Sequence, residues 1–261
     1  MEHAAAGQVC AICADERQWV PRSGQQWTTL RDLAAEGMTL QVDQIEEGLF
    51  GIHTSPHLGI GQHAKLICGP SGNVLWDPTG YVDEATAEVV AAKGEVVGVL
   101  ASHPHMFGAQ VQWSRLLGGA PVYVNAADAR WVMRPDPVIQ TWSDTLALTP
   151  ALSVHQVGGH FPGSAVACWR DGAEGRGVLL VGDTVFPNLD GATVGFLRSY
   201  PNHIPLSGSV VQRMAHALEA LEFDRVYGLF NNAIDHDARR SIRFSADRHS
   251  AWVRGDHDDL T

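Results

Sequence analysis

Long apolar runs and an excess of positive charge are both missing from this 261-residue chain. No run reaches the roughly 20 residues that a spanning helix needs, and the opening MEHAAAGQVC has no basic end leading into an apolar signal core. The expectation is a cytoplasmic protein without membrane attachment. The 18 Lys and Arg against 29 Asp and Glu leave a formal net charge of -11, which repels phosphate backbones and anionic lipid surfaces and argues against nucleic acid as a partner. Cysteine is scarce. Cys68 and Cys168 lie in apolar, strand-like stretches, and Cys10 and Cys13 form a Cys-x-x-Cys. No second pair follows at zinc-finger spacing, so a structural metal at Cys10 and Cys13 needs Cys68, Cys168 or His3 to converge on them; an unligated turn with reduced thiols is the alternative.

No linker rich in Pro, Gly or Ser divides the chain, and 45% hydrophobic residues suffice for one large core. Residues 1–37 read as a polar N-terminal extension carrying the Cys-x-x-Cys and a short helical pattern, Thr28 to Ala35, packed over a main domain at 38–261. From Met38 the pattern turns to short β-rich runs, MTLQVDQI, LFGIHT, HAKLICG and NVLWDP, which predict an antiparallel meander. Helical and strand patterns then alternate: EATAEVVAAK, VVGVLAS, a helix from Gln110 to Leu117, PVYV, and a helix from Ala126 to Val132. A second half repeats the plan with strands at LALTP, LSVHQV, AVACW and GVLLVG, a helix from Val210 to Leu221, the strand RVYGLF and a final helix from Asp237 to Trp252. Two β-rich halves flanked by helices make an α/β layered sandwich.

Of the 13 histidines, three fall just beyond apolar strands. VVGVLASHPH places His103 and His105 two residues apart, so that both imidazoles reach one side of an extended segment. LSVHQVGGHFPGS puts His160 after a second strand, with Gly158 and Gly159 allowing a close approach. GVLLVGDTVF presents Asp183 after a third, where a buried carboxylate calls for a cation. Each alone reads equally well as a turn or cap residue; the four in this order predict a metal site of His103, His105, His160 and Asp183.

The segments Ser102-His-Pro-His105, Gly159-His-Phe-Pro-Gly-Ser164 and Gly182-Asp-Thr184 resemble the first three metal motifs of the metallo-β-lactamase superfamily, over roughly residues 39 to 250. The resemblance implies a metallo-β-lactamase-like four-layer αββα sandwich behind the N-terminal extension, with Asp77 in a structural strand-turn that carries no ligand. By motif style the chain is similar to the glyoxalase II-like hydrolases, in a subgroup sharing Ser-His-Pro-His, the Cys-x-x-Cys and a run like Arg198-Ser-Tyr-Pro-Asn202. It departs from the family pattern at the second metal. Phe107 and Gly108 stand where an Asp-His pair follows, and the last histidine is replaced in GLFNN by Phe230 and Asn231. His236, a few residues on, is a possible substitute. The departures imply one metal ion.

Three imidazoles with water or a carboxylate form a zinc-like catalytic set, able to bring the pKa of a bound water to about 7. The expected activity is hydrolysis of an ester, thioester or lactone by a mononuclear Zn2+ site, with Asp183 binding metal and orienting water. His103, His160 and Asp183 alone would instead suit Fe2+ and oxygen, as in the family's persulfide dioxygenases, and a degenerate member that only binds a ligand is the third reading. The long segment TVFPNLDGATVGFLRSYPNHIPLSG reads as a binding lid, in which Tyr200 and His203 are candidate catalytic groups and Asn202 a candidate for orienting a small-molecule substrate. Phe107 and Trp113 are expected to wall the pocket where the second ion would lie, with core packing an equal alternative for Trp113. A homodimer stays open.

Overall fold

The computed structural model describes residues 2–3 and 9–261. Part of the extension, residues 1 and 4–8 of the opening MEHAAAGQVC, lies outside the described residues.

Two sheets face each other. The first comprises β1 (Thr39–Glu46), β2 (Leu49–Ser55), β3 (Ala64–Ile67), β4 (Asn73–Trp76), β5 (Val96–Leu100), β6 (Val122–Asn125) and β7 (Ile139–Trp142), paired in chain order. The first four strands form the expected antiparallel meander, and β4 to β7 run parallel. β7 carries the polar, half-exposed sequence IQTW and lacks the apolar alternation that marks a strand. The second sheet joins β8 (Thr145–Thr149), β9 (Leu152–Gln156), β10 (Ala165–Trp169) and β11 (Val178–Leu180) to the strands Arg225–Tyr227 and Ala233–Ile234. The segment Ala126–Trp131, expected as a helix, is a 3-10 turn. The lid segment is less irregular than its Pro and Gly content predicts: it holds two two-stranded ribbons, Phe186–Pro187 with Val194–Gly195 and Leu197–Ser199 with Ile204–Pro205.

Strand periodicity explains the layering. In β10, Ala165, Ala167 and Trp169 face the inter-sheet core with Trp76, Leu100 and Leu180, and Val166 and Cys168 face the helices Gly208–Glu219 and Ala238–Arg254. In β4, Val74 and Trp76 enter the inter-sheet core while Leu75 points to the opposite layer, shared with Ala87, Val90 and Trp113 of the helices Glu84–Ala91 and Gln110–Leu116. Three apolar layers thus separate helix, sheet, sheet and helix, the αββα sandwich. Cys10 and Ile12 of the extension are buried in the first of these layers. All four cysteines are free thiols. Among the described residues no helix is long and apolar enough to cross a membrane.

Candidate metal centre

The ends of β5, β9 and β11 open at one edge of the sandwich, and three loops leave from them. The β5 loop is stapled at its root: Asp77, just past β4, donates its amide to the Leu100 carbonyl at 2.8 Å and accepts the Ser102 amide on Oδ1 at 2.6 Å. The Ser102 carbonyl takes the amide of Ala165 on β10, which ties the two sheets together beneath the site. Gly182 has a left-handed φ of 54°, and a Cβ there would fall 2.1 Å from Ser102 Oγ, so only glycine lets the Asp183 loop close on the His103 loop.

On this base His103, His105, His160 and Asp183 come together, with one ligating atom from each all within 4.8 Å of one another. His103 Nε2 lies 3.6 Å and His160 Nε2 3.9 Å from Asp183 Oδ2, and His105 Nδ1 is 3.3 Å from His160 Nε2. Nitrogens about 2.0–2.1 Å from a tetrahedral ion stand about 3.3–3.4 Å apart, so the spacing of these atoms fits a cation. The outer ring atoms fit too. His160 Nδ1 faces the Leu197 carbonyl at 3.2 Å; a carbonyl only accepts, so this nitrogen carries the proton and Nε2 keeps its lone pair. His103 Nδ1 is engaged by Ser102 Oγ at 2.8 Å, while its Nε2 is buried without a hydrogen-bond partner.

Burial sets the charge states. Desolvation, then the neighbouring imidazoles, push His103 and His105 well below the usual histidine range, and desolvation takes His160 to about 4. All three are therefore neutral donors at neutral pH. Desolvation, and then the charge of Asp77, raise Asp183 to about 7, so its carboxylate lacks a counter-charge that a cation would supply.

The other sequence candidates fall in different places. Tyr200 packs its ring 5.8 Å from that of His160, but its hydroxyl donates to the backbone carbonyl of Asp183 at 3.2 Å, with the Gly195 carbonyl 3.4 Å away. Its proton is thus committed to the backbone, and burial holds its pKa well above 10. Asn202 is exposed and uses its side-chain amide to hold the Glu16 carbonyl at 2.8 Å. His203 is exposed in the turn after Tyr200, and His236 is exposed at the start of the last helix; neither joins the cluster. Trp113 is fully buried in the helix-facing layer, its Nε1–H donating to Thr79 Oγ1 at 3.2 Å, so it packs core and walls no pocket. Phe107 is buried in the same layer. Among the described residues no third ligating side chain joins Cys10 and Cys13.

Two residues that sequence reasoning missed complete the surroundings. The Phe161 ring touches all three histidines, at 4.8 to 5.8 Å between centroids. Above it lies Arg17 of the extension, its guanidinium 4.1 Å from the Phe161 centroid and paired with Asp15 at 2.7 Å. Ser199 Oγ donates to the Arg17 carbonyl and Arg198 pairs with Glu16, so the extension is bound to the loop that also supports His160. Adjacency to His160 is a signal for Phe161; nothing local marks Arg17.

Gly108 stands where the resemblance puts a histidine. Its φ is 54°, and a Cβ would lie 2.1 Å from the Pro78 carbonyl oxygen, so no side chain fits where the family carries a ligand.

No model of a known protein family matches the chain. The fold is shared with solved metallo-β-lactamases. VMB-1 aligns with a TM-score of 0.62 at 13% identity, over 82% of this chain and 97% of that one. TMB-1 aligns at 0.60 and 14%, over 81% and 98%. The mono-zinc form of FIM-1 from Pseudomonas aeruginosa aligns at 0.57 and 14%, over 81% and 96%. Identity this low speaks for the fold alone. In sequence, the chain is 40% identical over 242 residues to the "Uncharacterized protein YmaE" of Bacillus subtilis (strain 168), covering 92% of this chain and 88% of that protein. On that match the chain belongs to the family of YmaE, built on the metallo-β-lactamase fold.

Proposed function

We propose that the protein is a hydrolase with a single metal ion, zinc, acting on an ester, thioester or lactone. The observation that carries this reading is the convergence of three neutral imidazole nitrogens and one carboxylate oxygen within 4.8 Å at a sheet edge. His103 and His160 through Nε2, and His105 through Nδ1, would hold the ion with Asp183. A divalent cation there supplies Lewis acidity and lowers the pKa of a coordinated water to about 7. The protein groups do the rest. The Leu197 carbonyl fixes the tautomer and ring plane of His160, and Ser102 Oγ orients the ring of His103. Asp183 would bind the ion through Oδ2, which faces both Nε2 atoms, leaving its other carboxylate oxygen to orient the attacking water and take its proton. Phe161 and the buried Arg17 keep bulk water from the far side of the histidines.

The iron reading uses two histidines and a carboxylate and leaves His105 out. Its Nδ1, 3.3 Å from His160 Nε2, favours the three-histidine set. Metal analysis of protein purified without chelator, with ester, thioester and lactone hydrolysis and oxygen uptake measured side by side, tests the reading. Zinc with hydrolysis supports it; iron with oxygen uptake, or no turnover with either metal, overturns it.

A further inference from the structure

From His160 a row of aromatic rings runs to the exposed Phe230. The Tyr200 ring is 5.8 Å from His160, Phe186 is 4.9 Å from Tyr200, and Phe230 is 6.1 Å from Phe186. Phe186 is half-buried, and Phe230 is 38% exposed. Leu189, at the turn of the ribbon that carries Phe186, is 99% exposed. Apolar side chains left in water on a floppy segment would mean little. These stand on rigid supports.

The turn under Leu189 is closed by Asp190, which accepts the amides of Ala192 and Thr193 at 2.9 Å and the Thr193 hydroxyl at 2.6 Å, while Asn188 bonds Thr193 Oγ1 at 2.8 Å. The ribbon is also fixed to the last helix, since Ser245 Oγ accepts the Val194 amide at 3.0 Å. The loop presenting Phe230 is braced from within. Asn232 accepts the Phe230 amide on Oδ1 and donates to the Pro187 carbonyl at 2.6 Å, joining loop to ribbon. Asn231 has a left-handed φ of 58° and accepts a hydrogen bond at 3.2 Å from Lys65, a lysine left 2% exposed in the sheet. A buried ammonium and a left-handed residue both cost stability. Here they hold in place an aromatic ring that faces solvent, at the loop where the family resemblance puts a metal-binding histidine.

We propose that Phe186, Tyr200 and Phe230 form a substrate shelf that selects acyl groups with a long apolar chain or an aromatic ring, and that Leu189 extends it. This deepens the hydrolase reading and rests on it for the word acyl. The occupant follows from continuity: the row begins in contact with a metal-binding histidine, so what lies along it has its other end within reach of the reacting atoms. An apolar chain laid on such a surface gains about fourfold in affinity per buried methylene.

The test is direct binding, which needs no turnover. Acetate and octanoate are titrated calorimetrically into the metal-loaded full chain, wild type against Phe230→Ser and Leu189→Ser, with Phe244→Ser on the exposed face of the last helix as control. Octanoate is expected to bind wild type at least tenfold more tightly than acetate, and that ratio to fall at least threefold in Phe230→Ser and Leu189→Ser but not in Phe244→Ser. Equal affinities in wild type, or an equal change in the control, overturn the shelf. Parallel kcat/KM values for acetyl and octanoyl esters with one leaving group keep the two proposals apart. Discrimination in binding without ester turnover retains the shelf and removes the hydrolase; turnover indifferent to chain length does the reverse.

Discussion

His105 Nδ1 approaches His160 Nε2 to 3.3 Å across 55 residues of sequence, with the far nitrogen of His160 bonded to a backbone carbonyl. His160 Nε2 therefore carries a lone pair, and its spacing from His105 Nδ1 fits two donors to a shared ion. Replacement of either by Ala should weaken metal binding by more than the 10–100-fold typical of losing an outer partner of a ligand. Competition with a chromogenic chelator measures it; a loss under tenfold for His105→Ala would leave only the two-histidine set.

Asp183 predicts a pH dependence of the metal-free protein. A carboxyl raised on folding from 3.8 to about 7 keeps its proton in the folded chain after the unfolded chain has lost it. The stability it contributes is present below about pH 4 and is lost as the pH rises through 7. The buried histidines act oppositely, with stability lost as the pH falls below their unfolded value of 6.5. Asp183→Asn should therefore stabilise chelator-treated protein relative to wild type at pH 8 and change little at pH 4, read from urea unfolding at both.

Arg17 ties the extension to the metal loop. Arg17→Ala removes a desolvated cation–π contact with Phe161 and the pair with Asp15, and should cost about 2 kcal/mol or more. Lys keeps the charge but not the planar stacking and should recover part of that loss. Thermal unfolding checks both, and an unchanged Tm in Arg17→Ala would mean that the extension does not hold the site.

Gly108→His reinstates a family ligand type and should still fail to build a second metal site. The left-handed backbone and the 2.1 Å approach to the Pro78 carbonyl should cost at least about 2 kcal/mol. Stability and metal content of the variant, measured together, decide; a second bound ion at unchanged stability contradicts the account.

Most of the strands and the four metal candidates are legible in the sequence for one physical reason. A residue just beyond a buried strand must emerge at a sheet edge, so three such loops with His or Asp mark a shared cleft. What stayed hidden depends on contacts between distant segments. Arg17 sits in a polar lead-in without periodicity, and only the fold brings it over Phe161. Trp113 reads equally as wall or core until the Thr79 hydroxyl is found beneath it. Tyr200 lies with its ring beside His160, but its proton goes to a backbone carbonyl that no pattern announces.

One ion held by His103, His105, His160 and Asp183 is the centre of the proposed chemistry. Zinc titration of the full chain followed by native mass spectrometry tests this most directly, with wild type, His160→Ala and His236→Ala compared. The expected result is one zinc in wild type, none in His160→Ala, and one in His236→Ala. Two ions in wild type, or loss of zinc in His236→Ala, would contradict it.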